Sequence, residues 1–108
     1  MRERYDLLLQ QAEAAYAEGD LQASLRLFSE AEELARKNDW QDGADRAFCN
    51  RCWVLIELNQ ASEQIPRLKE ILLSSRDTRN RWLAAYYTAV AYDLDDDGER
   101  ASSYARRA

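Results

Sequence analysis

The side chains with chemical potential in this chain are two cysteines and a large set of carboxylates; histidine is absent. Without histidine, Ser-His-Asp and Cys-His nucleophile systems and His-containing zinc sites are excluded. Cys49-Asn50-Arg51-Cys52 reads as a C-x-x-C string. Redox pairs of this form sit at a helix N-terminus, where the dipole lowers the thiol pKa. Here the apolar spacing puts both residues near the middle of a helix. A zinc site would need two more ligands, and the chain has no third cysteine. The expectation is two reduced packing thiols, Cys52 on the core face, both replaceable by Ala or Ser without loss of partner binding.

Asp93-Leu94-Asp95-Asp96-Asp97-Gly98 fits D-x-D-x-D-G, the front half of a calcium loop. The back half is missing: Tyr104 stands where the bidentate Glu belongs, and Arg100 where an apolar residue follows the turn. The expected reading is therefore an acidic interhelix turn that caps the next helix, with calcium affinity no tighter than millimolar. The remaining carboxylates fall on polar helix faces, without the shaped pocket that acid–base pairs need. No glycine-rich phosphate loop is present. The expectation is no enzyme, no cofactor and no metal.

The elements that carry these residues are constrained by composition. The chain has 108 residues, 15 Lys plus Arg against 20 Asp plus Glu, and a net charge of −5. An acidic balance argues against a nucleic-acid-binding face, and arginines such as Arg76, Arg79, Arg81, Arg100, Arg106 and Arg107 are interspersed with acids. Three glycines and one proline exclude a loop-rich sandwich or a disordered linker. Two cysteines make no disulfide framework. No apolar run approaches a signal-peptide core or a membrane span, so a cytoplasmic protein without nucleic acid or membrane as partner is expected.

Apolar residues recur with helical spacing almost throughout. Six helices are predicted. The first carries Leu8, Ala12, Ala15 and Tyr16 and stops at Gly19, a left-handed C-cap. The second carries Leu21, Leu25, Phe28, Ala31, Leu34 and Ala35. The third starts around Gln41 to Gly43 and stops at Asn59-Gln60. The fourth begins near Ser62 to Ile65 with Pro66 in its first turn. Asp77 or Thr78 caps the fifth, which carries Trp82, Ala85, Ala89 and Tyr92. The sixth carries Ala101, Tyr104 and Ala105. The fold class is all-α, with helix pairs over about 1–38, 41–75 and 78–108 in one domain, complete in itself or a fragment of a larger protein.

The helix pairs repeat. A shift of 40 residues lays Leu8 on Phe48, Ala12 on Cys52, Ala15 on Leu55, Phe28 on Leu68 and Ala31 on Ile71; a further 37 lays Phe48 on Ala85, Cys52 on Ala89 and Leu55 on Tyr92. The set Ala12…Ala15-Tyr16…Gly19-Asp20…Phe28…Ala31…Leu34 resembles the tetratricopeptide repeat family. Ala31-Glu32-Glu33-Leu34-Ala35-Arg36, then Gly43, Arg46-Ala47 and Asn50, resembles its forty-residue form in scaffold and regulatory proteins. The likeness covers essentially the whole chain. It departs at Ser24 and Gln64, where the family usually has alanine. No repeat has the family's proline after its second helix, and Leu8, Phe48 and Ala85 stand in place of the large tryptophan.

The resemblance implies an α-α superhelix of three antiparallel helix pairs with a concave groove. It also implies that one face of each first helix lines that groove: Asp6, Leu9, Gln10 and Glu13; Arg46, Cys49, Asn50 and Trp53; Leu83, Tyr86, Tyr87 and Val90. The family's carboxylate clamp falls here on Leu9, Glu13, Asn50, Leu83 and Tyr87, of which only Asn50 keeps the required type. The implied ligand is thus an apolar or amphipathic segment of a partner protein. Trp53, Tyr86, Tyr87 and Val90 form the expected contact surface, Asn50 pairs with peptide backbone, and Arg46 adds an ion pair. Asp6, Gln10 and Glu13 complete the site. The alternative is a homo-oligomerisation or input module of a larger regulatory protein. Trp82 is expected in the core; Trp40 packs a repeat junction or stays exposed.

Overall fold

The computed structural model describes residues 1–94. The expected sixth helix, with the acidic residues Asp95 to Asp97 and Gly98 before it, lies outside the described residues. Those described form five α-helices, α1 (Arg2–Ala17), α2 (Leu21–Lys37), α3 (Gln41–Glu57), α4 (Ile65–Ser74) and α5 (Thr78–Leu94), with a 3₁₀ turn at Ser62–Gln64 and no strand. The chain divides into two compact units, Met1–Val54 and Leu55–Ala108, the division falling inside α3.

The helix ends follow from local chemistry. α1, α2 and α3 all close with the same double hydrogen bond. Asp20 N–H donates to the Ala15 carbonyl, Trp40 N–H to Ala35 and Gln60 N–H to Leu55, while the preceding Gly19, Asp39 and Asn59 N–H groups donate to Tyr16, Arg36 and Ile56. This Schellman arrangement needs a left-handed residue. Gly19 takes it with φ +84, as its lack of a Cβ allows. Asp39 (φ 53) and Asn59 (φ 57) take it with short polar side chains. Asp20 then caps α2, its carboxylate accepting from Ala23 N–H at 3.1 Å. Asp77 caps α5, accepting from Asn80 N–H at 2.8 Å. Pro66 sits in the first turn of α4, where its missing N–H costs least.

In the first unit, α1 and α2 form a close hairpin. Ala12 and Ala31 are fully buried, and the Ser24 hydroxyl donates to the Ala12 carbonyl at 2.9 Å. That bond explains the serine where the resemblance calls for alanine: the small side chain permits close approach and its hydroxyl is satisfied internally. Tyr5, Leu8, Ala31, Ala35, Ala44 and Ala47 make one core cluster, with Leu9, Leu27, Leu34 and Trp40 packed on it. Phe28 is also buried, a side chain whose burial contributes about 2–3 kcal/mol. In the second unit, Ile65, Leu68, Ile71 and Leu72 of α4 are buried, at the i, i+3, i+6, i+7 spacing of one helix face. α4 packs against α5.

Candidate functional site

Two contacts fix how α1 and α3 lie together. Near their starts, the Tyr5 hydroxyl donates to the Gly43 carbonyl at 2.7 Å. Near their ends, the Tyr16 and Trp53 rings meet with centroids 4.8 Å apart. The two helices therefore run side by side and parallel within the first unit. Asp6, Gln10 and Glu13 on α1 are exposed; Arg46 and Asn50 on α3 are half-buried, at the same i, i+4, i+7 spacing with Trp53. Trp53 is 42% exposed and propped on Tyr16. These six expected site residues thus share one unit. Tyr86, Tyr87 and Val90 belong to the other.

Three expectations need correction. Tyr87 is buried rather than available as a contact. It lies on the stripe Asn80, Ala84, Tyr87, Thr88, Ala91, all buried, and the alanines flanking it let neighbours approach closely. Cys49 is fully buried for a related reason: α3 has small or apolar residues at Ala44, Ala47, Phe48, Cys52 and Val54, which widen its buried arc to more than half of its circumference. Leu9 and Leu83 are half-buried. Trp82, expected in the core, is 47% exposed and stacks on Tyr86, also exposed, with centroids 5.5 Å apart and planes 7° apart. Tyr86 meets the edge of Tyr87. Val90 is half-buried.

Trp40 packs the junction between α2 and α3. Its ring lies 4.6 Å from that of Tyr5, and the Arg2 guanidinium lies 3.4 Å from its centroid. A Cβ on Gly43 would overlap the indole carbons Cε3, Cδ2 and Cζ3. The glycine therefore serves a close approach to Trp40 rather than a turn. Burial pushes the Tyr5 hydroxyl up to about 12, against partial relief from Arg46.

Neither cysteine is in a disulfide, and both are fully buried. Burial, then the neighbouring Cys49, pushes the Cys52 thiol above its ordinary value, the reverse of what a redox or metal thiolate requires. Among the described residues no group of three His, Cys, Asp or Glu could hold a metal, and no helix is long and apolar enough to cross a membrane.

The sequence reading missed the buried charge. Glu32 is buried and paired with Arg36 and, across to α3, with Arg51 at 3.2 Å. The pair borders an open depression of about 550 Å³ lined by Ser29, Glu32, Glu33, Arg36, Lys37 and Arg51. Its charges largely offset one another, so it offers no isolated acid or base. The i, i+4 spacing of Glu32 and Arg36 was the available signal; the reach of Arg51 was not. No protein-family model, curated protein or solved structure matches this chain.

Proposed function

We propose that the chain is a tetratricopeptide-like helical module that binds a peptide or helix of a partner protein, without catalysis or cofactor. The carrying observation is Trp53: a large aromatic held 42% exposed on a helix that buries most of its circumference. Tyr16 fixes its ring, so little side-chain freedom is lost on contact. Asp6, Gln10 and Glu13 on one side and Arg46 and Asn50 on the other supply polar flanks. An amide such as Asn50 offers both donor and acceptor to an extended backbone. The parallel α1 and α3, with α2 hairpinned to α1 and ion-paired to α3, are compatible with stacked repeats.

The test is a random-peptide display selection against the full chain, followed by calorimetry of the recovered peptides. Trp53→Ala should weaken them by about 2 kcal/mol, as truncated aromatic anchors do, with unchanged helical circular dichroism. Asn50→Ala should weaken them less. Peptides that bind both variants like the parent, or a Trp53→Ala chain that unfolds, would remove this reading. A tight dimer by light scattering would favour homo-oligomerisation instead.

A further inference from the structure

The face shared by α1 and α3 is not uniform in charge. A shift of 40 residues lays Asp6 on Arg46, Gln10 on Asn50 and Glu13 on Trp53, and the two helices run parallel. One end, Asp6 and Arg46, carries both signs. The middle, Gln10 and Asn50, is neutral. The other end sets a carboxylate, Glu13, on the same face as the Trp53 indole. Arg46 is already engaged within the chain, and it stands two turns of α3, about 10 Å, from Trp53. Asp6 and Glu13 are exposed, and neither makes an ion pair or a side-chain hydrogen bond among the described residues. Glu13 is three residues before Tyr16 and so its neighbour on the surface of α1. The Tyr16 ring is the one that meets Trp53.

These features select the chemistry of what binds. The two rings meet obliquely, with 42° between their planes, rather than face to face, and Trp53 stays 42% exposed. An aromatic face attracts a cation through its quadrupole, and a carboxylate on the same face has the same preference. A purely apolar group seated here would take water from Glu13 and return no counter-charge, which costs free energy. Arginine meets both demands: its planar guanidinium stacks on an indole, forks to a carboxylate and is more weakly hydrated than an ammonium. The net charge of −5 favours the approach of a basic segment. Asn50, one turn before Trp53, is half-buried and its amide has no hydrogen bond among the described residues. It offers that segment's backbone both a donor and an acceptor.

We propose that the partner segment bound on this face presents an arginine to Trp53 and Glu13, its guanidinium over the indole and paired with the carboxylate. This rests on the peptide-binding reading above and names the chemistry of its ligand. The probe is a blocked peptide, acetyl-Ala-Ala-Arg-Ala-Ala-amide, titrated into the ¹⁵N-labelled full chain while the three tryptophan indole resonances are followed. The Trp53 indole should shift saturably while those of Trp40 and Trp82 hold still. Citrulline in place of the arginine keeps its shape, loses its charge and should weaken binding about tenfold, and leucine at least as much. Read at the Asn50 amide, Trp53→Ala should weaken the arginine peptide about tenfold and Glu13→Gln about threefold. Glu13→Gln should leave the citrulline peptide unaffected. Both side chains are exposed, so circular dichroism should not change. Equal binding of the arginine and citrulline peptides, no Trp53 shift at millimolar peptide, or indifference to Glu13→Gln overturns the proposal. Display-selected peptides that need Trp53 but carry no arginine overturn it and leave the peptide-binding reading in place; selected peptides indifferent to Trp53→Ala remove that reading and this proposal with it. Without peptide, a Trp53 shift that grows with protein concentration and vanishes in Arg76→Gln/Arg79→Gln would mean that the arginine comes from a second copy, which also overturns it.

Discussion

The Arg2–Tyr5 corner of α1 and the Arg79–Trp82 corner of α5 have the same residue classes at the same spacing and opposite fates. The first is closed by Trp40 and Gly43 and belongs to the core. The second presents stacked rings to solvent. An arginine and an aromatic one turn apart do not by themselves choose between burial and exposure. Whether a helix start covers them does, because apolar area contributes only when it leaves water.

The sharpest contrast comes from truncating the two aromatics. Tyr5→Ala removes a buried ring together with its hydroxyl bond to the Gly43 carbonyl, and should cost about 3–4 kcal/mol in urea unfolding. Trp82→Ala loses its stack on Tyr86 and the covered half of a ring that is 47% exposed, and should cost less, about 1–2 kcal/mol. Equal costs would show that the Trp82 face is covered in solution, and the comparison would break.

A smaller effect isolates how the first corner is closed. Gly43→Ala gains about 1 kcal/mol of helix propensity, but its methyl overlaps the Trp40 indole. Displacing that ring costs about 2–3 kcal/mol, as overpacking and lost contacts do. A net loss of about 1–2 kcal/mol is expected, with a change in Trp40 fluorescence. A stabilised variant would mean that Trp40 is not held over Gly43.

The smallest effect is in pH. Burial raises the Tyr5 hydroxyl from the ordinary tyrosine value of about 10 to about 12 in the folded chain. A raised folded pKa means that the unfolded chain gives up this proton first. The contribution of Tyr5 is thus fully present below pH 10 and is lost as pH climbs toward 12. Tyr5→Phe should be less stable than the parent near neutrality, and the gap should narrow between about pH 10 and 12. A gap that stays constant through that window would place Tyr5 in water, as Trp82 is.

The helices were legible because their signals are local. Gly19, Asp77 and Pro66 set boundaries through backbone geometry within four residues, and the structure puts all three where their chemistry directs. The buried Ala12, Phe28, Cys52 and Leu68 follow from periodicity alone. Of the candidate site, the exposure of Asp6, Gln10 and Glu13 and the partial exposure of Trp53 were readable as the faces opposite those positions.

What periodicity could not read was the width of the buried arc. One apolar stripe predicts one covered face, yet α3 and α5 bury most of their circumference, which takes Cys49 and Tyr87 inside. A small residue signals close approach without saying from which side. The pairing of Arg51 with Glu32, the seat of Trp40 over Gly43 and the exposure of Trp82 depend on elements far apart in the chain. The sequence alone therefore determined where the helices run and which stripe each one buries. Only tertiary packing decided which aromatics found a cover, because a side chain's burial depends on what else arrives in space, and no local spacing carries that information.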